Sequence, residues 1–229
     1  MSELNGAEYN AVLFDLDGTL VDTAPDMVAA LHLLQREHSV ILSPYELARS
    51  NVSNGAIGLL RVGFPELEIE LGDEMHQLYL ERYADNICVE SRVFAGIIEL
   101  LDQLEGLGCP WGVVTNKPEY LTLPLLAALK LVDRSGCVIS GDTLSVRKPD
   151  PAPLLLACDI IGVDPGMAIY VGDAGRDIEA GQRAGMATIA AGYGYITEDD
   201  DPREWDADVI ATSTEELAQI VLKAVNLED

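Results

Sequence analysis

Six short apolar runs, at residues 11–14, 111–114, 137–139, 168–171, 188–191 and 209–211, recur along this 229-residue chain with helical patterns among them. Ile97, Ile98, Leu100, Leu101 and Leu104 repeat at helical spacing before the second run, and Leu121, Leu125, Leu126 and Leu129 after it. Strands that alternate with helices must pair in parallel, because each helix carries the chain back to the starting edge. The expectation is an α/β fold with a doubly wound, Rossmann-like parallel sheet. Residues 22–92 break the alternation. They hold no run of β-branched residues, but Met27, Val28, Leu31 and Leu34 form one amphipathic pattern. Leu71, Met75, Leu78, Tyr79, Arg82 and Tyr83 form another. This predicts a small all-helical domain at 22–92, inserted into a core made of 1–21 and 93–229.

Polar residues gather where the runs end. The first run leads into Asp15-Leu16-Asp17-Gly18-Thr19, two carboxylates one residue apart before a glycine turn. Two such anions repel unless a cation or proton lies between them, so the pair suits metal binding with acid/base or nucleophilic work. The second run ends in Thr115-Asn116-Lys117, which offers hydroxyl and N–H donors to an oxyanion. Lys148 stands before Pro149 and Pro151 at the opening of a helix. The fourth run ends in Gly172-Asp173-Ala174-Gly175-Arg176-Asp177. Each segment alone has an ordinary reading: an Asx turn, a strand end, a solvated lysine, a helix cap. All four in this order, each at or just after a strand end, point to one site. In a doubly wound sheet the strand order reverses beside the first strand, and ligands bind at that crevice. Asp15, Asp17 and Asp173 would meet there.

The set of DxDGT, a strand-ending Thr-Asn, a downstream Lys-Pro and GDxxxD resembles the haloacid dehalogenase-type phosphatase superfamily over nearly the whole chain. VVTNKP, KPDPAPLLLA and GYGYI resemble its phosphoglycolate phosphatase branch. RDIEAG with GYGYITEDDDPREWDADV looks closer to the N-acetylmuramic acid 6-phosphate phosphatases. The resemblance implies a Mg²⁺-dependent phosphatase of carbohydrate metabolism acting on a small phosphorylated metabolite, 2-phosphoglycolate or N-acetylmuramic acid 6-phosphate. It implies Asp15 as nucleophile, Asp17 as general acid and base, and Thr115, the main-chain N–H of Asn116 and Lys148 as holders of the phosphoryl oxygens. The cation would take Asp15, the main-chain carbonyl of Asp17, and Asp173, with Asp177 orienting waters or Lys148. The helical insertion would be a mobile cap, and its polar turn at 51–55, Asn54 and Gly55 included, would face the substrate. Dehalogenases of the superfamily lack the second aspartate, which disfavours that activity. Thr19, where β-phosphoglucomutases tend to carry Val, places a sugar phosphomutase second. A phospho-acceptor signalling domain is a further alternative, but such domains lack the helical insertion. Ala174 departs from the family's usual Ser or Thr.

Composition narrows the partners. A net charge of −25 argues against nucleic acid and anionic membrane. It also leaves the attraction of a phosphate to local cations: Mg²⁺, Lys148, Lys117 and Arg147. The acidic run at 198–201 reads as a solvated loop. Cys88, Cys109, Cys137 and Cys158 have no C-x-x-C spacing and read as reduced thiols of a cytoplasmic protein. Residues 1–10 are too polar for a targeting segment, and no apolar run reaches membrane-spanning length. His32, His38 and His76 read as packing or surface residues, and Tyr193 and Tyr195 as core packing beside the site.

Overall fold

The computed structural model describes Leu4 and residues 9–225. Residues 1–3 and 5–8 of the polar start lie outside it, and the expectation about targeting falls outside with them. The chain opens with β1 (Ala11–Phe14), β2 (Val21–Asp22), α1 (Ala24–Glu37), α2 (Tyr45–Ser50), α3 (Gly55–Gly63), α4 (Glu74–Ala84) and β3 (Arg92–Val93). It continues with α5 (Ile97–Gly106), β4 (Trp111–Val114), α6 (Glu119–Ala128), β5 (Val138–Ile139), α7 (Ala152–Ile161) and β6 (Ala168–Gly172). The last elements are α8 (Gly175–Ala184), β7 (Ala187–Ala191), β8 (Val209–Ala211) and α9 (Thr214–Val225).

Six strands form one parallel sheet in the order β5-β4-β1-β6-β7-β8, the doubly wound arrangement. Both faces of this sheet are covered, which is why its strands read as continuous apolar runs. Alternation along each strand divides the core in two. Val12, Phe14, Trp111, Val113, Ile169 and Val171 pack with α5, α6 and α9 on one face. Leu13, Val114, Ile139 and Tyr170 pack with α7 and α8 on the other. In register, Phe14 lies beside Val113 and Val171. The residues just beyond β1, β4 and β6 are therefore neighbours at one edge: Asp15, Thr115 and Asp173.

The helical stretch leaves and returns at that edge. α1–α4 bury a cluster of their own around Leu31, Leu34, Leu59, Leu60, Tyr79 and Tyr83, which Leu121 and Tyr195 join from the sheet side. Two features differ from the sequence reading. The stretch is entered and left through an antiparallel ribbon, β2 with β3, pairing Val21 with Val93 and Asp22 with Arg92. Two-residue strands are too short to show an alternation. Leu71 does not belong to the helix of Met75 and Tyr79, because Gly72 takes φ +90° and Asp73 stands, extended, just before α4, its side chain accepting the Glu70 N–H.

The return crossing is held by one buried carboxylate. Asp26, in the first turn of α1, accepts the N–H groups of Val89, Glu90 and Ser91 at 2.8–3.1 Å and the Ser91 hydroxyl at 2.6 Å. Asp26→Ala removes their shared acceptor and leaves the buried Ser91 donors unpaired, while Val89 and Glu90 are exposed to water. A loss of about 3 kcal/mol is expected, since hydrogen bonds to charged groups contribute about 1.5–3 each and leave costly orphans. For a chain of this length that is a fall in Tm of roughly 6–12 °C, read by calorimetry. An unchanged Tm would show that the 89–91 crossing is held by packing instead.

Candidate active site

At the carboxyl edge of the sheet three carboxylates converge. Asp15, Asp173 and Asp177 each offer one oxygen, and these lie within 4.8 Å of one another in a buried space. Asp15 follows β1 directly, and its N–H donates to the Val171 carbonyl at 2.8 Å. Asp173 follows β6. Asp177 sits in the first turn of α8, where a carboxylate is favoured by the helix dipole, and its Oδ2 accepts the Ala174 N–H at 3.1 Å. That bond closes the helix start without the hydroxyl that Ala174 lacks. Two glycines make the space. Gly18, at φ +80°, and Gly194 run so close to Asp173 that a Cβ on either would overlap its side chain.

Lys148 crosses this edge. Its buried ammonium stands 2.9 Å from Asp15 Oδ1 and 2.8 Å from Asp177 Oδ1, and donates to the Val114 carbonyl and the Tyr170 hydroxyl. Burial alone would lower its pKa, but the two carboxylates outweigh that and hold it raised. Asp173 makes no such ion pair among the described residues. Its Oδ2 accepts the Tyr195 N–H at 2.8 Å and the Ser53 hydroxyl at 2.6 Å, while its Oδ1 is buried with no partner among the described residues. Burial first, then Asp15 and Asp177, push this carboxyl up to about 8. Burial also raises Asp177, against the pull of Lys148. An unpartnered carboxyl oxygen beside two further carboxylates fits a hard divalent cation, which takes oxygen ligands and can replace the proton that like-charge repulsion and burial hold there.

Asp17 points elsewhere. Its Oδ1 accepts the Thr23 hydroxyl at 2.6 Å and the Lys117 ammonium at 2.7 Å. Its carboxylate is outside the trio, so any part in holding a cation falls to its main-chain carbonyl. Lys117 is buried and lies over the Tyr83 ring at 4.7 Å. Thr115 is buried at the end of β4 and accepts the Lys117 N–H. Asn116 differs from the expectation of a main-chain role alone: its side chain donates to the Lys148 carbonyl and accepts the Lys148 N–H, fastening the two loops together.

A cavity of about 870 Å³ opens from these residues towards the helical stretch. Asn54 and Gly55 line it, and the residue of that turn that reaches the carboxylates is Ser53. The turn is a 3-10 segment, Val52–Asn54, running into α3. Five of the chain's fourteen lysines and arginines line this one cavity: Arg61, Lys117, Arg147, Lys148 and Arg176. Sequence reasoning missed Arg61 and Arg176, and it placed Ser53 only within the turn at 51–55, with no contact to the carboxylates. The only signal for Arg176 was its place inside GDxxxD. His76 also lines the cavity rather than only packing, and burial lowers its pKa. Tyr195 does more than pack, since its hydroxyl donates to Asp22 at 2.6 Å and accepts the Ala24 N–H. The acidic run at 198–201 makes local bonds, Asp201 with Arg203 and Asp200 with Trp205. All four cysteines are free. No helix among the described residues is long and apolar enough to cross a membrane.

The chain is similar to known proteins over most of its length. The chain is 43% identical over 207 residues, 90% of its length and 94% of the other's, to a phosphoglycolate phosphatase of Xanthomonas campestris pv. campestris. It is 41% identical over 221 residues, 94% and 96% of the two lengths, to an N-acetylmuramic acid 6-phosphate phosphatase of Pseudomonas aeruginosa. Among solved structures, a predicted phosphoglycolate phosphatase from Haemophilus somnus superposes with a TM-score of 0.82 at 27% identity, covering 95% of this chain and 100% of that one. Residues 12–191, which carry all four motifs, match the haloacid dehalogenase-like hydrolases, and the chain belongs to that family.

Proposed function

We propose that the chain is a Mg²⁺-dependent phosphatase that hydrolyses a phosphate monoester of a small metabolite, through a phosphorylated Asp15. The observation that carries this reading is the buried trio of Asp15, Asp173 and Asp177 with Lys148 set against two of its members. Asp15, the Asp17 carbonyl and Asp173 would hold Mg²⁺, beside Asp177. The bound cation would neutralise charge on the phosphoryl oxygens. Asp15 attacks phosphorus as the bond to the leaving alkoxide breaks, and Asp17 gives that alkoxide its proton. Asp17, now ionised, takes a proton from water. The water oxygen attacks phosphorus, the bond to Asp15 breaks, and both carboxyl groups return to their starting states. Thr115, the Asn116 N–H and Lys148 hold the phosphoryl oxygens, which is where such a transfer gains most. Lys117 and Thr23 keep Asp17 in one orientation between the two steps.

Residues 22–92 act in this reading as a cap over a core of residues 1–21 and 93–229, with Asn54 and Gly55 facing the substrate. The cytoplasm is the compartment that suits its free thiols. Between the esters named for the relatives, size favours N-acetylmuramic acid 6-phosphate over 2-phosphoglycolate. A cavity of about 870 Å³ lies in the upper part of the ~300–1,000 Å³ range that encloses drug-sized ligands. At ~30 Å³ per water it holds far more than a two-carbon acid would displace.

Asp15→Asn should lower kcat by at least about 10³-fold, as loss of a catalytic nucleophile does, with the fold intact by circular dichroism. Wild-type rates, or a beryllium fluoride adduct on another residue, would remove Asp15 from its role. In a panel of phosphate esters the amino-sugar acid 6-phosphate should show the highest kcat/KM, with one free phosphate released per turnover. Isomerisation without release would favour a phosphomutase, and a top rank for 2-phosphoglycolate would reverse the size argument. The raised Asp173 pKa sets a sign for pH. Folded, that carboxyl keeps its proton up to about 8, against 3.8 for the free group. Without cation it therefore costs stability as pH rises through that window, and a cation that replaces the proton recovers it. The rise in Tm produced by Mg²⁺ should be larger at pH 8 than at pH 6 and should shrink in Asp173→Asn. Equal shifts at both pH values would move the cation elsewhere.

A further inference from the structure

Asp173 is gripped by two parts of the chain that are far apart in sequence. From the sheet edge come Gly18, Gly194 and the Tyr195 N–H, which fix where its side chain lies. From the helical stretch comes a single donor, the Ser53 hydroxyl, 2.6 Å from Oδ2 and 120 residues away in sequence. The same serine is held a second time. Its main-chain carbonyl accepts the Arg176 guanidinium, one turn beyond Asp173. Arg176 is in turn favoured as a cation by Asp177, Asp15 and Asp173, which outweigh its burial. One residue of the 3-10 turn thus donates to a carboxylate of the trio and accepts from the arginine beside it. Its neighbours Asn54 and Gly55 line the cavity but record no bond to the trio.

We propose that Ser53 is a positioning residue for Asp173, and that Arg176 holds Ser53 in place to do it. This rests on reading the trio as the site of a divalent cation. A carboxylate whose Oδ2 already accepts two hydrogen bonds has its plane fixed, and its Oδ1 is then presented to Asp15 and Asp177. Without the serine, Oδ2 keeps only the Tyr195 N–H and the group is free to turn. The trio is therefore complete for a cation when the helical stretch is docked on the sheet edge. Linkage is reciprocal, so a cation that favours docking is itself bound more tightly by the docked form. The cap's position and the cation's affinity become one equilibrium.

Mg²⁺ alone, titrated by calorimetry into the full-length protein, tests this without turnover. Ser53→Ala should weaken Mg²⁺ binding about tenfold, the lower end of what loss of a ligand's hydrogen-bond partner costs. Ser53→Thr, which keeps the hydroxyl, should stay within about twofold of wild type by the same reasoning. Hydrogen exchange at residues 51–55 should slow when Mg²⁺ is added to wild type, and not in Ser53→Ala. If wild type binds Mg²⁺ and the alanine variant binds it equally well, the role of Ser53 is overturned. If wild type itself binds no Mg²⁺, the reading of the trio fails instead. Should Ser53→Ala not fold, the wild-type exchange decides: no Mg²⁺-dependent protection at 51–55 overturns the linkage.

Discussion

Three carboxylates and a lysine share one dry pocket at the edge of the sheet, and the rest of the structure is arranged so that they can. Burying an ion without a partner is costly, and burying three of like sign more so. Lys148 offsets two of them at under 3 Å and is itself held by Val114 and Tyr170. The third, Asp173, is left with a partnerless oxygen and a raised pKa. Such an imbalance is uneconomical for a fold and useful for a site. It stores an affinity for positive charge at the place where phosphorus would be attacked.

Sheet topology supplies the convergence. A parallel sheet ends all its strands at one edge, and the order β5-β4-β1-β6-β7-β8 seats β1 between the strands that deliver Thr115 and Asp173. Residues 100 and 158 positions from Asp15 become its immediate neighbours without any local motif requiring it. The glycines at 18 and 194 act on a finer scale, removing the side-chain atoms that would otherwise push Asp173 aside.

This explains what could be read from the residues alone. Asp15 and Asp173 each follow an apolar run, so strand periodicity and the rule for the crevice of a doubly wound sheet were enough to bring them together. The same rule also sent Asp17 there, but its carboxylate turns to Thr23 and Lys117 instead. Lys148 was legible through the rigid proline-rich start of α7. The β2–β3 ribbon was not, because two residues carry no period. Leu71 was assigned to a helix because it fits the spacing, while Gly72 and Asp73 start that helix after it. The contacts of Ser53 and Arg176 were silent for a deeper reason. Their meaning depends on how α1–α4 sit on the sheet, and that docking is a tertiary fact with no local signature. The side-chain clamp of Asn116 on Lys148 belongs to the same class.

The gathering of five cations on one cavity has a consequence for diffusion. With −25 overall and five of the fourteen cations gathered on one cavity, the rest of the surface repels a dianion. Attraction is then left to the cavity, where Arg61 and Arg147 are exposed. Dissolved ions weaken long-range repulsion more than they weaken contacts inside a cleft, over a screening length of about 8 Å at physiological strength. Added salt should therefore speed the capture of an anionic ligand by this protein, the reverse of its effect on enzymes whose surface field steers such ligands in.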